Sequence, residues 1–318
     1  MLAVAPPDAR RVRPPTLLHV AVEAALDAAE PEALRRCTRL VAADEHDELL
    51  ALLSLHDLML APLDRLGARV RCQGHPATEE LRHRLESSYL DRLRRRAHQV
   101  RLITPDGVEG MRRVAAIDRV PGVYDWLRHE ATWAELVEFL SVEGGPDAGF
   151  DDLVALAQVG ITGDPKVALA ENYWDEMGRG ALDAVHTVLH DQLVDAVQMR
   201  RIPRAELSTT ALDRMALNGV LAGNRWLQPE LLGALGLLEM QAGPRCRAVV
   251  GALERLAAPA GSLPFYEEHA TADPRHGKEW LDRVVRPLSE DPSWARRIVD
   301  GAVWRHVANQ RFFDSWQP

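Results

Sequence analysis

The feature that most restricts the fold of this chain is the near-absence of strand-forming patterns. Alternating runs of β-branched residues are missing, aromatic residues make up only 5% of the 318 residues, and Ala, Leu, Arg and Glu dominate. Apolar residues instead recur at the three- and four-residue intervals of amphipathic helices along almost the whole chain. The sequence therefore predicts an all-α protein.

Proline and glycine divide this helical pattern into segments. Residues 1–15 contain four prolines and are expected to form a flexible tail. In an N-terminal helical region, residues 16–110, we predict helices at 17–29, 31–42, 45–65 and 77–101. In a larger core region, residues 111–318, we predict helices at 122–143, 147–159, 165–178, 181–198, 209–219, 228–241, 244–257, 263–285 and 290–312.

Charge and cysteine content exclude several classes of function. The formal net charge of −9 argues against nucleic acid or an anionic membrane as a partner. The sequence contains neither a run of eighteen apolar residues nor a signal-peptide core, so a membrane or secreted location is not expected. Cys37, Cys72 and Cys246 lie far apart without metal or redox spacing, as in a reducing compartment. We expect a cytoplasmic protein.

The most informative local pattern is the trio His269, Asp273 and His276. Their spacing of i, i+4 and i+7 places all three on one narrow stripe of a helix. Imidazole and carboxylate groups that converge in this way are typical ligands of iron, manganese or zinc. Alternatively, Asp273 caps a new helix whose first residue is Pro274, and the histidines are incidental. Spacing alone leaves both interpretations open.

Two glutamates stand at the ends of otherwise apolar helix stripes, where an unpaired charge is costly to bury. Glu239 follows leucines and two glycines, which permit close approach of a neighbouring element. The alternative interpretation is that Glu239 lies at the edge of the stripe and contacts water or Arg245. Glu143 precedes a Gly-Gly pair. The alternative interpretation is that Glu143 is a solvated residue at the helix end, and that Glu135 or Glu138 takes its place in the site.

A fourth pattern is the segment 171–180, with the sequence ENYWDEMGRG, which leads to His186 and His190. These histidines are separated by four residues, a spacing common both in metal pairs and on exposed helix faces. On a straight helix Glu176 aligns better with His190 than with His186. The glycines of the segment are, however, typical of helix kinks. The choice between the two histidines stays open.

Together these segments supply several carboxylates and histidines from four core helices. Such an inventory is typical of carboxylate-bridged dinuclear metal sites inside helical bundles. A ferritin-like version fits poorly, because the core region contains no Glu-x-x-His motif.

The pattern resembles the haem-oxygenase-like di-iron oxidases and oxygenases, often called iron-containing redox enzymes. The resemblance extends from about Val120 to Phe313. It is densest between Glu143 and Gly180 and most specific at the His-x3-Asp-x2-His motif. It implies a haem-oxygenase-like helical bundle with an additional N-terminal helical region, and the first hundred residues match no motif of the family.

The resemblance also implies a cofactor, two Fe(II)/Fe(III) ions per chain, with O2 as cosubstrate. The family spacing between the second glutamate and its histidine selects His186. The implied ligands of one iron are Glu143, Glu176 and His186. The implied ligands of the second iron are Glu239, His269, Asp273 and His276.

The function that the resemblance implies is oxidation of a small metabolite, and we expect N-oxygenation of an amine or amino-acid-like substrate. The alternative reaction is oxidative C–C cleavage or desaturation of an aliphatic acid. A third hypothesis is a metal-free binding or iron-handling protein. An external reductant and a homodimer are further expectations. The candidate pocket residues are Tyr173, Trp174, Tyr266 and Arg275. For each of them the alternative is a purely structural role in packing.

Overall fold

The computed structural model describes residues 17–100, 106–143 and 149–316, and these residues form helices without any strand. The predicted tail, 1–15, lies outside them. The N-terminal helices are α1 (Leu18–Asp27), α2 (Pro31–Cys37), α3 (Glu45–Leu60), α4 (Leu63–Leu66) and α5 (Pro76–Ala97). The first core helices are α6 (Gly107–Ile117), α7 (Gly122–His129), α8 (Trp133–Glu143), α9 (Phe150–Ala157) and α10 (Gly163–Glu176). The later ones are α11 (His186–Val197), α12 (Thr209–Gly223), α13 (Gln228–Arg255), α14 (Pro264–Glu279), α15 (Arg286–Leu288) and α16 (Pro292–Ser315).

Shorter segments connect these helices. Turns of 3-10 helix lie at Gly67–Cys72, Gly178–Gly180, Leu182–Ala184, Arg204–Glu206 and Arg225–Leu227. A π-helical stretch, Trp280–Val285, follows α14. The prediction of an all-α protein is confirmed. Among the described residues, no helix is long and apolar enough to cross a membrane.

Several predicted helix limits differ from the structure, and three of the differences have a clear physical reason. The predicted helix 122–143 is divided because Thr132 and Glu135 form a capping box that starts α8, with Thr132 N donating to Glu135 Oε2 at 2.8 Å. Helix α6 was not predicted. It begins because the side chain of Asp106 accepts a hydrogen bond from Glu109 N and so caps the helix.

The third error concerns α13, which is one continuous helix where two were predicted on either side of residues 242–243. Pro244 lies inside it, although an interior proline costs about 3 kcal/mol. Helix α13 is buried along most of its length and packs against α7, α14 and α16. This tertiary packing outweighs the local preference.

Glycines allow the helices around α13 to approach its backbone. A Cβ atom on Gly233 of α13 would lie 1.7 Å from Ile298 O of α16, and one on Gly301 would lie 1.9 Å from Glu230 O. On the other side, a Cβ atom on Gly277 of α14 would lie 3.1 Å from the carbonyl oxygen of Glu239. These contacts place α14 directly beside the turn of α13 that carries Glu239.

The N-terminal helices pack directly on the core region. Helix α3 contacts α12, and α5 contacts α16. Asp213 of α12 is buried, with Arg96 of α5 at 3.4 Å and Arg311 of α16 at 2.5 Å. The predicted boundary at residue 110 falls inside α6, which contacts α13 and α16.

Candidate metal centre

Two groups of carboxylates and histidines meet where α10, α11, α13 and α14 come together. The first cluster consists of Glu176, His186 and His269. The second cluster consists of Glu239, Asp273 and His276. In each cluster one nitrogen or oxygen atom per residue lies within 4.8 Å of the others. All of these side chains are buried except that of His269, which is partly exposed.

A break in the chain after α10 builds the first cluster. Helix α10 ends at Glu176, and Gly178, Arg179 and Gly180 follow with φ of 57°, 52° and 89°. Such left-handed conformations end a helix. Because the chain turns here, α11 begins at His186 with its Nδ1 atom 2.7 Å from Glu176 Oε2.

His190, the other candidate, lies outside both clusters. Its ring centroid is 5.2 Å from that of Phe265, and burial lowers its pKa. The structure therefore places His186, and not His190, beside Glu176.

Helix α14 continues without interruption through Asp273 and Pro274. The alternative in which Asp273 caps a new helix is therefore wrong. Proline cannot donate to the carbonyl four residues earlier, and the carbonyl of Ala270 instead accepts a hydrogen bond of 3.1 Å from Arg247 Nη1 of α13. The side chain of Arg247 thus supplies the hydrogen bond that the Ala270 carbonyl lacks because Pro274 has no N–H group.

The stripe on α14 is divided between the two clusters. His269 lies beside His186, with 4.5 Å between ring centroids, whereas Asp273 and His276 face Glu239. The resemblance implied that His269 belongs with Glu239, and the structure groups it with Glu176 instead. One helical turn is about 5.4 Å long, so residues four apart on α14 reach different neighbouring helices.

Glu239 is buried and held by polar contacts. Its Oε1 atom accepts a hydrogen bond of 2.7 Å from Asn172 Nδ2, and its Oε2 atom lies 3.4 Å from His276 Nδ1. Arg245 donates instead to Asp118 Oδ2 at 2.7 Å. The alternative in which Glu239 reaches water or Arg245 is therefore wrong.

Polar groups outside the clusters orient two of the histidine rings. His276 Nε2 lies 2.8 Å from Asp175 Oδ2, which leaves Nδ1 directed at Glu239. His269 Nδ1 lies 2.7 Å from the carbonyl oxygen of Phe265, which leaves Nε2 for the cluster. Contacts of this kind select the tautomer of a metal-binding histidine.

Burial and charge shift the pKa values of the cluster residues. Burial raises the pKa of Asp273 to about 6. Burial alone would lower the pKa of His276, but the carboxylates of Asp273 and Glu239 raise it to about 11. Against the effect of burial, Glu176 likewise raises the pKa of His186. The buried carboxylates thus attract positive charge, which either a protonated histidine or a metal ion supplies.

Three buried atoms of the clusters form no hydrogen bond of normal geometry among the described residues, although two of them lie close to carboxylate oxygens: one is 2.7 Å from Glu176 Oε2 and the other is 3.4 Å from Glu239 Oε2. The three atoms are His186 Nδ1, His276 Nδ1 and Asp273 Oδ2. Buried polar atoms in proteins are normally hydrogen-bonded, so these atoms are open to a further partner, such as a metal ion, inside the clusters. Mixed imidazole and carboxylate donors suit iron or manganese, whereas structural zinc prefers tetrahedral sites. The donor set therefore fits iron.

Glu143, the last residue of α8, lies outside both clusters but lines the same cavity. Its Oε1 atom is 3.2 Å from the hydroxyl of Tyr124 and 3.5 Å from Arg214 Nη2. Its suggested substitutes, Glu135 and Glu138, are both exposed.

A cavity of about 260 Å³ adjoins the two clusters. Of the predicted pocket residues, Tyr266 lines it. Trp174 is instead 53% exposed, and Arg275 pairs with Asp175. Sequence reasoning did not single out Asn172 and Asp175, although both lie in the segment 171–180 that attracted attention. It also did not assign Tyr124, Arg214 or Arg245 to the cavity wall.

The fold and this site define a helical protein whose core contains two carboxylate–histidine clusters. The family model described as iron-containing redox enzyme matches residues 137–309, more than half of the chain and all six cluster residues. The chain belongs to this family, which confirms the resemblance and the fold class and makes the protein an oxidoreductase. No curated protein matches the chain.

Proposed function

We propose that the protein is a non-haem di-iron enzyme that uses O2 to oxidise a small metabolite. Glu176, His186 and His269 hold one iron in this proposal. Glu239, Asp273 and His276 hold the second. The observation that supports it best is the pair of separate three-residue clusters of carboxylates and histidines, in which five of the six side chains are buried.

Iron held by these residues would supply electrons to O2, and the protein determines how the ligand side chains are held. Asp175 and the Phe265 carbonyl orient the rings of His276 and His269. Asn172 orients the carboxylate of Glu239 through its Oε1 atom. Burial of the cluster residues limits access of water.

Glu143 is proposed as a further ligand of the first iron. It lines the same cavity as the first cluster, and Tyr124 and Arg214 hold one of its carboxylate oxygens. The proposal requires its side chain to move toward Glu176 when iron binds. Glu143→Gln is then expected to change the visible spectrum of the iron-loaded protein, whereas Glu138→Gln, an exposed change on the same helix, leaves it unaltered. Identical spectra for both variants would exclude Glu143 as a ligand.

The substrate is proposed to be a small molecule, because the cavity volume of about 260 Å³ lies just below the usual range for ligand pockets. We propose N-oxygenation of an amine or amino-acid-like substrate, with oxidative C–C cleavage or desaturation of an aliphatic acid as the second candidate. An external reductant, a homodimer and a cytoplasmic location complete the proposal. The location is supported by three buried, unpaired cysteines.

The test is iron stoichiometry after anaerobic loading with Fe(II), followed by mixing with O2. We expect two irons per chain and a transient visible absorption. Absence of iron binding would overturn the proposal and favour a metal-free binding protein. Iron that binds without any O2-dependent spectral change would favour an iron-handling protein instead.

A further inference from the structure

The cavity beside the clusters extends along α13 to a buried guanidinium. Glu239, Ala242, Arg245, Cys246 and Val249 all line it from this one helix. Arg245 follows Glu239 by six residues, which corresponds to about 9 Å along the helix axis. A positive charge therefore lies at a defined distance from the second cluster, along the same wall.

Neighbouring side chains hold this guanidinium in place. Arg245 is 7% exposed, and its Nη2 atom donates to Asp118 Oδ2 at 2.7 Å. The other oxygen of Asp118 lies 2.7 Å from His306 Nδ1. The guanidinium carbon lies 5.3 Å from the centre of the Phe313 ring, within the range of a cation–π contact. Arg245 is therefore preorganised and does not need to be ordered by a ligand.

One donor of Arg245 stays unused. Its Nε atom is buried and has no hydrogen-bond partner among the described residues. A buried donor on a charged group is costly to leave unsatisfied. An anionic oxygen in the cavity would satisfy it, and a carboxylate matches the planar donor fork of arginine.

Further donors lie on the same cavity wall. Arg214 of α12 is buried there. Tyr266 contributes a hydroxyl group, and burial raises its pKa well above the usual value, so that it stays protonated. Leu238, Ala242, Val249 and Phe265 supply apolar surface to the cavity. This composition suits a short aliphatic chain that ends in an acid group.

We infer that Arg245, together with Arg214, binds the carboxylate of the substrate and so restricts it to small aliphatic acids and amino acids. This inference rests on the proposed function in that the other end of the substrate is oxidised at the clusters. The amino-acid and aliphatic-acid reactions both require such a carboxylate.

The first experiment compares hexanoate, hexanamide and hexylamine by isothermal titration calorimetry on the full chain. One series uses anaerobically iron-loaded protein, and the other uses protein treated with a chelator. We expect hexanoate to bind at least tenfold more tightly than the amide or the amine in both series. Equal affinities would overturn the inference, as would hexanoate binding that requires iron, because the metal would then hold the carboxylate.

The second experiment compares Arg245→Gln with Arg296→Gln, an exposed arginine of α16 that lies outside the cavity. We expect Arg245→Gln to weaken hexanoate binding at least tenfold and Arg296→Gln to leave it unchanged, with the same iron content in both. Wild-type affinity in Arg245→Gln would overturn the inference. If that variant does not fold, Arg245→Lys takes its place, since it keeps the charge but loses the fork.

Failure of the proposed function would be seen separately. It would appear as absence of iron in the wild-type protein, whereas the hexanoate comparison in chelator-treated protein does not depend on iron.

Discussion

His276 is held by Asp175, whose Oδ2 atom lies 2.8 Å from His276 Nε2. Burial alone would raise the pKa of Asp175, but hydrogen bonds from Arg179 and His276 lower it well below its usual value. Asp175 therefore stays ionised and orients the ring so that Nδ1 faces Glu239. Carboxylate–histidine pairs of this kind orient metal ligands in many proteins.

Asp175 is expected to act as a positioning residue. Asp175→Asn should weaken iron binding at the second cluster by about 10- to 100-fold, since the substitution removes the charge that orients His276. Anaerobic Fe(II) titration of the variant measures this affinity. Asp152→Asn, an exposed change on α9, is the control and should bind iron as the wild type does. Equal affinities in both variants would contradict this role.

His269 and His190 are expected to differ in their effect on iron content. His269→Ala removes a donor of the first cluster and should reduce the content from two irons per chain to about one, with loss of the O2-dependent activity. His190→Ala should keep both irons, because this ring packs against Phe265 outside the clusters. Metal analysis and circular dichroism of the purified variants test this difference. Full iron content in folded His269→Ala would exclude His269 as a ligand.

Iron is expected to stabilise the fold, because the clusters join four helices. A ligand that binds only the folded state at 100 times its dissociation constant adds about 2.7 kcal/mol. Anaerobic addition of Fe(II) should therefore raise the midpoint of thermal unfolding in the wild type. The increase should be much smaller in Glu239→Gln, which loses a carboxylate charge of the second cluster. An equal increase in both proteins would show that iron acts elsewhere.

Helices α13 and α16 are expected to pack too closely at Gly233 to accommodate any side chain there. A Cβ atom there would lie 1.7 Å from Ile298 O, so Gly233→Ala should destabilise the protein by about 3 kcal/mol, as overpacking of a core does. Gly122→Ala is the matched control, since its Cβ atom meets nothing within 4 Å. Urea unfolding measures both changes. A similar unfolding midpoint in the two variants would contradict the close packing.

Much of the site was accessible from the sequence because its signals are local. A carboxylate on an apolar stripe, as at Glu239, marks a buried charge that requires a partner. The helical spacing of His269, Asp273 and His276 placed them on one face. Local patterns therefore indicated five of the six cluster residues, whereas His186 was selected over His190 only by the family resemblance.

The arrangement of these residues was not accessible in the same way. His186 lies beside Glu176 because α10 ends there and the chain turns through left-handed residues. His269 joins this pair because α14 passes α11 one turn before it meets Glu239. Both arrangements depend on how helices that are distant in sequence pack against one another. The spacing of apolar residues along one helix carries no information about that packing.

The sequence by itself determined the helical class and the residue types available to a metal, since helical period and burial of charge act over a few neighbouring residues. The family followed from the resemblance of its motifs. The tertiary structure alone decided which donors share a cluster and that Arg245 faces the same cavity as Glu239. It also decided that α13 and α14 continue through Pro244 and Pro274. The reason is physical: packing between helices can exceed the local cost of about 3 kcal/mol for an interior proline, and only the assembled core supplies that packing.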